Sequence, residues 1–503
     1  MLRSPAPAGK KQNKINDAYV DHPSFGAAVI GRVLEHHGFR VGIIAQPDWR
    51  KTESFRILGR PRLFFGITSG NTDSMVANYT ANKRPRKKDD YSPGGTTGLR
   101  PDRAVIVYAN RVREAYKDVP IVLGGIEASM RRLAHYDYWD NAVRRSILVD
   151  ARGDMLVYGM GETQVLEIAR KLGAGARIES LDTIRGTVVI RKDSRFLPGS
   201  IAIPSYEEVK EKPDKFNEAV RAIYVQQNPF SAKPIVQRHG DRCVIHFPPP
   251  LPVSTEELDT IYELPYLRDS HPAYSSQGGV KALETVRFSL IAHRGCCGEC
   301  SFCSLSLHQG RIVQSRSRES LVREARLLSE RDDFRGTITD IGGPTANLYA
   351  ASCRRWQEKG ACENKSCLTP AICKNLKRNY NKSIELLRSI RELPGINHAF
   401  IGSGLRYDLL TDEGATEYLE ELCSRHISGQ MKVAPEHSVD RVLALMNKPP
   451  AREYEKFVKK MESLNRGREK KCYLVNYFIS AHPGATLADA LRLAQYFIQR
   501  GMH

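Results

Sequence analysis

Apolar and polar positions in the N-terminal third of the chain alternate between two periods. They recur at helical spacing from Phe25 to His37, and short apolar runs follow at Val41 to Ala45, Leu63 to Thr68, Ala104 to Tyr108 and Ile121 to Leu123. Strands interleaved with helices predict an α/β domain over residues 17–190, a Rossmann-like open parallel sheet. Gly124-Gly125 and Gly159-Met160-Gly161 fall where strands end, the side on which open α/β sheets place ligand crevices. The second pair lacks the third glycine of a dinucleotide fingerprint. Over residues 191–280 the periodicity loosens, with prolines at 198, 204, 213, 229, 234, 248, 249, 250, 252, 265 and 272. This predicts a linker with one helix near Glu207 to Gln226, because proline is excluded from helix interiors. Strand patterns resume at Val286 to Ile291, Thr337 to Ile341, His398 to Ile401, Met431 to Ala434 and Tyr473 to Ile479, with helices near residues 318, 382, 412, 438, 451 and 486.

Composition narrows the class. A chain of 503 residues, 41% hydrophobic, is long enough for two or three buried cores. No apolar run approaches the roughly 20 residues that span a bilayer, and the N-terminus has no hydrophobic signal core, so no membrane partner is expected. Of eleven cysteines, eight fall between Cys296 and Cys373. In a large chain that clustering suggests metal sites and a reducing cytoplasm, not a disulfide framework. Lysine and arginine number 76 against 57 acids, a net charge of +19, which favours polyanionic partners such as RNA, although the charge is diffuse. The densest run, Lys83 to Lys88, is followed by Asp89 and Asp90 and reads as a solvated loop. The first 16 residues carry no acid and read as a disordered basic tail.

The chemistry concentrates at Cys296-x3-Cys300-x2-Cys303, just after the apolar run ending at Ile291. Three thiolates within eight residues can wrap one four-iron four-sulfur ([4Fe-4S]) cluster if the backbone curls, and they leave one iron open to a chelating cosubstrate such as S-adenosylmethionine (SAM). Gly295 and Gly298 supply that freedom. Cys297 offers a second register, Cys297-x2-Cys300-x2-Cys303, suited to a zinc knuckle or an ordinary ferredoxin loop. A second group, Cys353, Cys362, Cys367 and Cys373, lies in an insertion at residues 347–380 and could hold an auxiliary iron-sulfur cluster or zinc. Cys243, Cys423 and Cys472 are isolated and read as core residues.

The stretch FSLIAHRGCCGECSFCSLSLHQGRIVQSRS from Phe288 resembles the YgiQ family of radical SAM proteins. So do DAYVDHPSFG from Asp17, GFRVGIIAQPDW from Gly38, LGGIEASMRR from Leu123, AHYDYWD from Ala134, DIGGPTANLY from Asp340 and KVAPEH from Lys432. The resemblance implies the first cysteine register and a partial (β/α)6 barrel over residues 281–503. Five of its strands are visible before His503, and the sixth is expected to be absent. It also implies a cobalamin-binding-like N-terminal domain and a flavodoxin- or ferredoxin-type electron donor. Asp21-His22-Pro23 departs from the Asp-x-His-x-x-Gly pattern of an axial histidine, so cobalamin itself is not expected.

By the same resemblance Phe302 would pack near adenine. Gly342, Gly343 and Pro344 stand in place of the superfamily's glycine-glycine-glutamate motif and would face the methionine amino group. Arg406 would pair with its carboxylate. Glu436 and His437 would bind ribose or substrate, with Asn476 and His482 among the polar groups at the barrel mouth. These features predict a radical enzyme of open substrate, RNA or protein among the options. The rival from another class is a non-catalytic iron-sulfur or zinc protein that binds nucleic acid.

Overall fold

The computed structural model describes residues 11–193 and 197–502, with residues 11–16 described by backbone alone. The chain divides into two compact units, Met1–Leu251 with Leu264–Arg287, and Pro252–Glu263 with Phe288–His503.

The first unit is built on a nine-stranded mixed sheet. Its strands are β1 (Lys11–Asn16), β2 (Arg40–Ala45), β3 (Phe65–Ile67), β4 (Ile121–Leu123), β5 (Met155–Val157), β6 (Thr187–Arg191), β7 (Ile201–Ile203), β8 (Ile235–His239) and β9 (Arg242–His246). Their spatial order is β7-β8-β9-β6-β5-β4-β3-β1-β2. Strands β2 through β5 and β1 pair in parallel, whereas β6 and β9 run antiparallel to their neighbours.

Three expectations change here. Strand β1 replaces the basic tail over residues 11–16 and pairs on both sides, with β2 and β3; residues 1–10 lie outside the described residues. Ala104 to Tyr108 is not a strand but the start of helix α2, and helix α1 spans Gly26–His36. In α2 (Ala104–Ala115) the buried residues Ala104, Val105, Tyr108, Ala109 and Val112 recur every three to four positions, a helical face written in β-branched residues. Its first amides are capped by fully buried groups: Ala104 N–H donates to Ser74 Oγ at 3.0 Å and Val105 N–H to Glu127 at 3.1 Å. The third change is in residues 201–246, expected as linker, which extend the sheet by three strands. The helix expected near Glu207 is broken into Tyr206–Glu211 and Pro213–Val225, the second opening on proline, which needs no N–H there.

In the second unit, β10 (Ser289–Ile291), β11 (Thr337–Ile338), β12 (Asp340–Gly342), β13 (His398–Ala399), β14 (Gln430–Glu436) and β15 (Tyr473–Phe478) are linked by parallel pairings: β10 with β12, β11 with β13, and β14 with β15. A parallel bridge from Leu405 to Val433 joins the β13 side to β14. Helices α3 (Arg318–Ser329), α4 (Tyr380–Arg391), α5 (Ala451–Asn465) and α6 (Leu487–Arg500) alternate with these strands. Leu290, Leu321, Ile338, Ile390 and Met431 meet in one apolar core between strands and helices.

The segment Pro252–Glu263 supplies a helix, Thr255–Tyr262, that buries Leu258, Ile261 and Tyr262. Tyr262 accepts from Arg294 Nε at 2.8 Å, and Thr255 Oγ1 donates to Ser315 C=O at 3.1 Å.

Candidate functional site

Strand β10 leads through His293–Arg294 into a loop that bends at Gly295, whose φ of +79° and position leave no room for a side chain. A Cβ there would lie 2.0 Å from the Ile312 carbonyl oxygen. The loop is pinned on both flanks. Cys296 N–H donates to Gly310 C=O at 3.1 Å, Ser301 N–H to Met446 C=O at 3.0 Å, and Asn447 Nδ2 to Glu299 C=O at 2.9 Å. Cys300 and Cys303 share a tight turn, with Cys303 N–H on Cys300 C=O at 3.0 Å.

Cys296, Cys300 and Cys303 are half-buried, whereas Cys297 turns away into the apolar cluster of Ile312, Trp356, Cys367 and Leu368. There its thiol donates to Cys367, which pushes the Cys297 thiol well up and the Cys367 thiol down. Cys297 is thereby paired with a cysteine of the insertion, while Cys296, Cys300 and Cys303 stay half-buried on the loop. Burial pushes the Cys296 and Cys303 thiols up, and charge on the neighbouring thiols adds to the rise; Arg406 and the Gly298 N–H, at 3.4 Å from Cys296 Sγ, pull Cys296 back.

Among the described residues no three His, Cys, Asp or Glu side chains converge as they would on a single ion. A cubane cluster holds its thiolates on separate irons and so spreads them more widely than zinc does. Nor do three of Cys353, Cys362, Cys367 and Cys373 converge: Cys367 is on Cys297, and the Cys362 carbonyl accepts from Arg311 Nη2 at 2.9 Å.

Arg406 reaches this loop from the segment after β13. It is buried, and its backbone is fixed by a reciprocal pair of hydrogen bonds with the Asn347 amide, both 2.9 Å. Its Nε and Nη2 go to Asp408, at 3.1 and 2.8 Å, while Nη1 is directed at Cys300 Sγ at 3.6 Å. Gly342 and Gly343 are demanded by packing. A Cβ on the first would lie 2.0 Å from Ser403 Oγ, and one on the second 2.5 Å from the His293 ring. The Gly342 carbonyl accepts from Ala292 N–H at 2.7 Å, and Asp340 holds Gly402 N–H and Ser403 N–H at 2.8 and 2.9 Å. Pro344 follows directly in the chain.

Glu436 ends β14 with φ of +69°, beyond a register shift in its pairing. A non-glycine residue held in that region marks a site where the surroundings dictate direction. It is buried, which raises its carboxyl, and faces Lys448 at 3.9 Å. Lys448 donates to Ala434 C=O at 2.7 Å, and burial, then Arg406, lowers its ammonium pKa. His437 Nδ1 accepts from Val439 N–H at 3.0 Å, and Asn476 accepts from Tyr454 O–H at 2.7 Å. His482 lies 3.3 Å from Ser301 Oγ, edge-on to the exposed Phe302 ring at 6.3 Å between centroids.

A Radical SAM N-terminal family model matches residues 15–289. Relatives described as UPF0313 proteins are 50% identical over 485 residues in Clostridium botulinum (strain ATCC 19397 / Type A), covering 96% of this chain and 75% of that protein. In Methanosarcina mazei the identity is 50% over 521 residues, covering 96% and 82%. The chain belongs to the YgiQ-like radical SAM family. Solved structures of the radical SAM methyltransferase TsrM from Kitasatospora setae, one with tryptophan and a SAM analogue bound, share its fold at a TM-score of 0.56 and 16% identity over 98% of this chain and 71% of that one. The cobalamin-dependent SAM radical enzyme OxsB matches at 0.54 and 10% identity, covering 97% and 52%.

For this member of the YgiQ-like family, sequence reasoning missed Asp408 and Lys448. Asp408 lies two residues beyond Arg406 and could have been found as its counter-ion. Lys448, in Asn447-Lys448-Pro449-Pro450, has no local signal, because its burial depends on strands distant in sequence. Among the described residues no helix is long and apolar enough to cross a membrane.

Proposed function

We propose that this chain is a radical SAM enzyme in which Cys296, Cys300 and Cys303 hold a [4Fe-4S] cluster that leaves one iron for SAM. The carrying observation is the half-buried triad on a doubly pinned loop, with Cys297 withdrawn from it and Arg406 directed at it. When bound, cluster and cosubstrate supply one-electron cleavage of the sulfonium and a 5'-deoxyadenosyl radical that can take hydrogen from an unreactive C–H bond.

The chain's residues do the placing. Gly298 N–H and Arg406 face the sulfurs, Phe302 and His482 form an edge that an adenine could cover, and Glu436 with Lys448 forms a buried polar pair for ribose or substrate hydroxyls. The succession of parallel strands from β10 to β15 supports a partial barrel with these groups near one end. An electron comes from a flavodoxin- or ferredoxin-type donor, and the substrate is an RNA, a protein or a smaller molecule.

No cobalamin-dependent step is included. His22 is fully buried, with Nδ1 accepting from Ser24 N–H at 3.0 Å and Nε2 facing Arg268 Nη1 at 3.0 Å, so it offers no axial ligand.

The test is anaerobic reconstitution with iron and sulfide, reduction with dithionite, addition of SAM and chromatography for 5'-deoxyadenosine, with Cys300→Ala beside the wild type. Product from the wild type alone supports the reading. A loaded cluster with no cleavage returns the chain to a non-catalytic iron-sulfur protein.

A further inference from the structure

Arg406 is buried, and its charge is divided unequally. Nε and Nη2 are spent on Asp408, at 3.1 and 2.8 Å, and only Nη1 is left, 3.6 Å from Cys300 Sγ. The space for that nitrogen exists because residue 298 is glycine: a Cβ there would stand 2.5 Å from Nη1 and 3.3 Å from Cys296 Sγ. A guanidinium already engaged by one carboxylate in fork geometry is a poor receptor for a second. It is, however, a fixed positive end and an N–H donor beside two of the proposed ligand sulfurs. Cluster reduction adds one negative charge to an already anionic tris-thiolate site, and hydrogen bonds and cations at the sulfurs stabilise the reduced form.

Resting on the function proposed above, we infer that Arg406, with its charge metered by Asp408, sets the reduction potential of the cluster and does not bind the cosubstrate carboxylate. Arg406 is then a positioning and electrostatic residue for the electron-transfer step. Its effect lies on how readily a donor fills the cluster.

The experiment uses the full chain, reconstituted anaerobically, with iron and sulfide content measured first. The midpoint potential is then followed by electron paramagnetic resonance during a dithionite titration without SAM. Arg406→Gln shifts the potential to more negative values, Arg406→Lys recovers part of the shift, and Asp408→Asn shifts it the other way, because the guanidinium charge is no longer shared. Opposite signs from two neighbours are not what a merely structural role gives, and Asp408→Asn keeps the test alive if Arg406→Gln fails to fold. Unchanged potentials in loaded variants overturn the inference. So does an Arg406→Gln protein whose potential is unchanged but whose SAM affinity falls tenfold or more, the signature of a carboxylate fork. A wild-type chain that takes up no cluster overturns the function proposed above instead.

Discussion

Two groups of cysteines lie within 80 residues of sequence and do different things. The loop of Cys296, Cys300 and Cys303 is held from outside by backbone hydrogen bonds to Gly310 and Met446, and its thiols stay half-buried. In the insertion, Cys367 is packed with Trp356 and Leu368 and paired with Cys297, while Cys353 and Cys373 line the same apolar cluster, which Cys296 of the loop also touches. The difference teaches that density of cysteine is not by itself a ligand set: the loop holds its thiols by backbone hydrogen bonds from outside, and the insertion packs its sulfurs among apolar side chains.

The contrast can be broken most severely at the loop. Cys300→Ala is expected to lose the cluster outright and with it all SAM cleavage, read by iron content and 5'-deoxyadenosine. Trp356→Ala, in the insertion, should cost about 3 kcal/mol of stability from a buried aromatic. It is measured by denaturant midpoint, and the insertion counts as metal-held if zinc or iron content falls in step. Gly298→Ala pushes a methyl against Arg406 and should lower cluster loading several-fold with a stability loss of roughly 1–3 kcal/mol.

A pH dependence sharpens the same comparison. Burial holds the Cys296 and Cys303 thiols protonated at neutral pH, so ligation releases protons and cluster uptake should rise with pH from neutral upward, flattening once the thiols ionise. The smallest effect belongs to Cys362→Ser, with less than about 0.5 kcal/mol and unchanged iron per chain, since Cys362 is a free, half-buried thiol and no set of three ligands includes it among the described residues. A loss of bound metal there would revive the auxiliary site.

What the sequence disclosed follows physical range. The loop that carries Cys296, Cys300 and Cys303 could be read as a loop because Gly295 and Gly298 act locally. Strand β1 was not, since Lys-Gln-Asn-Lys-Ile-Asn has no apolar alternation and becomes a strand only by pairing with β2 and β3. Helix α2 was mistaken for a strand because Val105, Ile106 and Val107 favour strands while the buried face repeats at helical spacing. Strands β8 and β9 were hidden among prolines that lie between elements and not inside them. At the site, Arg406 was found from its place after a strand, but its orientation depends on Asp408 and on the absent side chain of Gly298, which no spacing encodes.

The path of the chain between the two units has a practical consequence for anyone who would cut or graft it. Residues 252–263 are folded with the second unit and residues 264–287 return to the first, so the thread crosses more than once and no single scissile point frees either piece. A fragment ending at Arg287 would carry the Thr255–Tyr262 helix with Leu258, Ile261 and Tyr262 stripped of their partners, a sticky flag on an otherwise finished sheet. Hybrids between relatives should therefore exchange the helix together with everything after Phe288. The ribosome, too, delivers that helix ahead of the residues it packs on, and it must wait in the open for Arg294 and Ser315 to arrive.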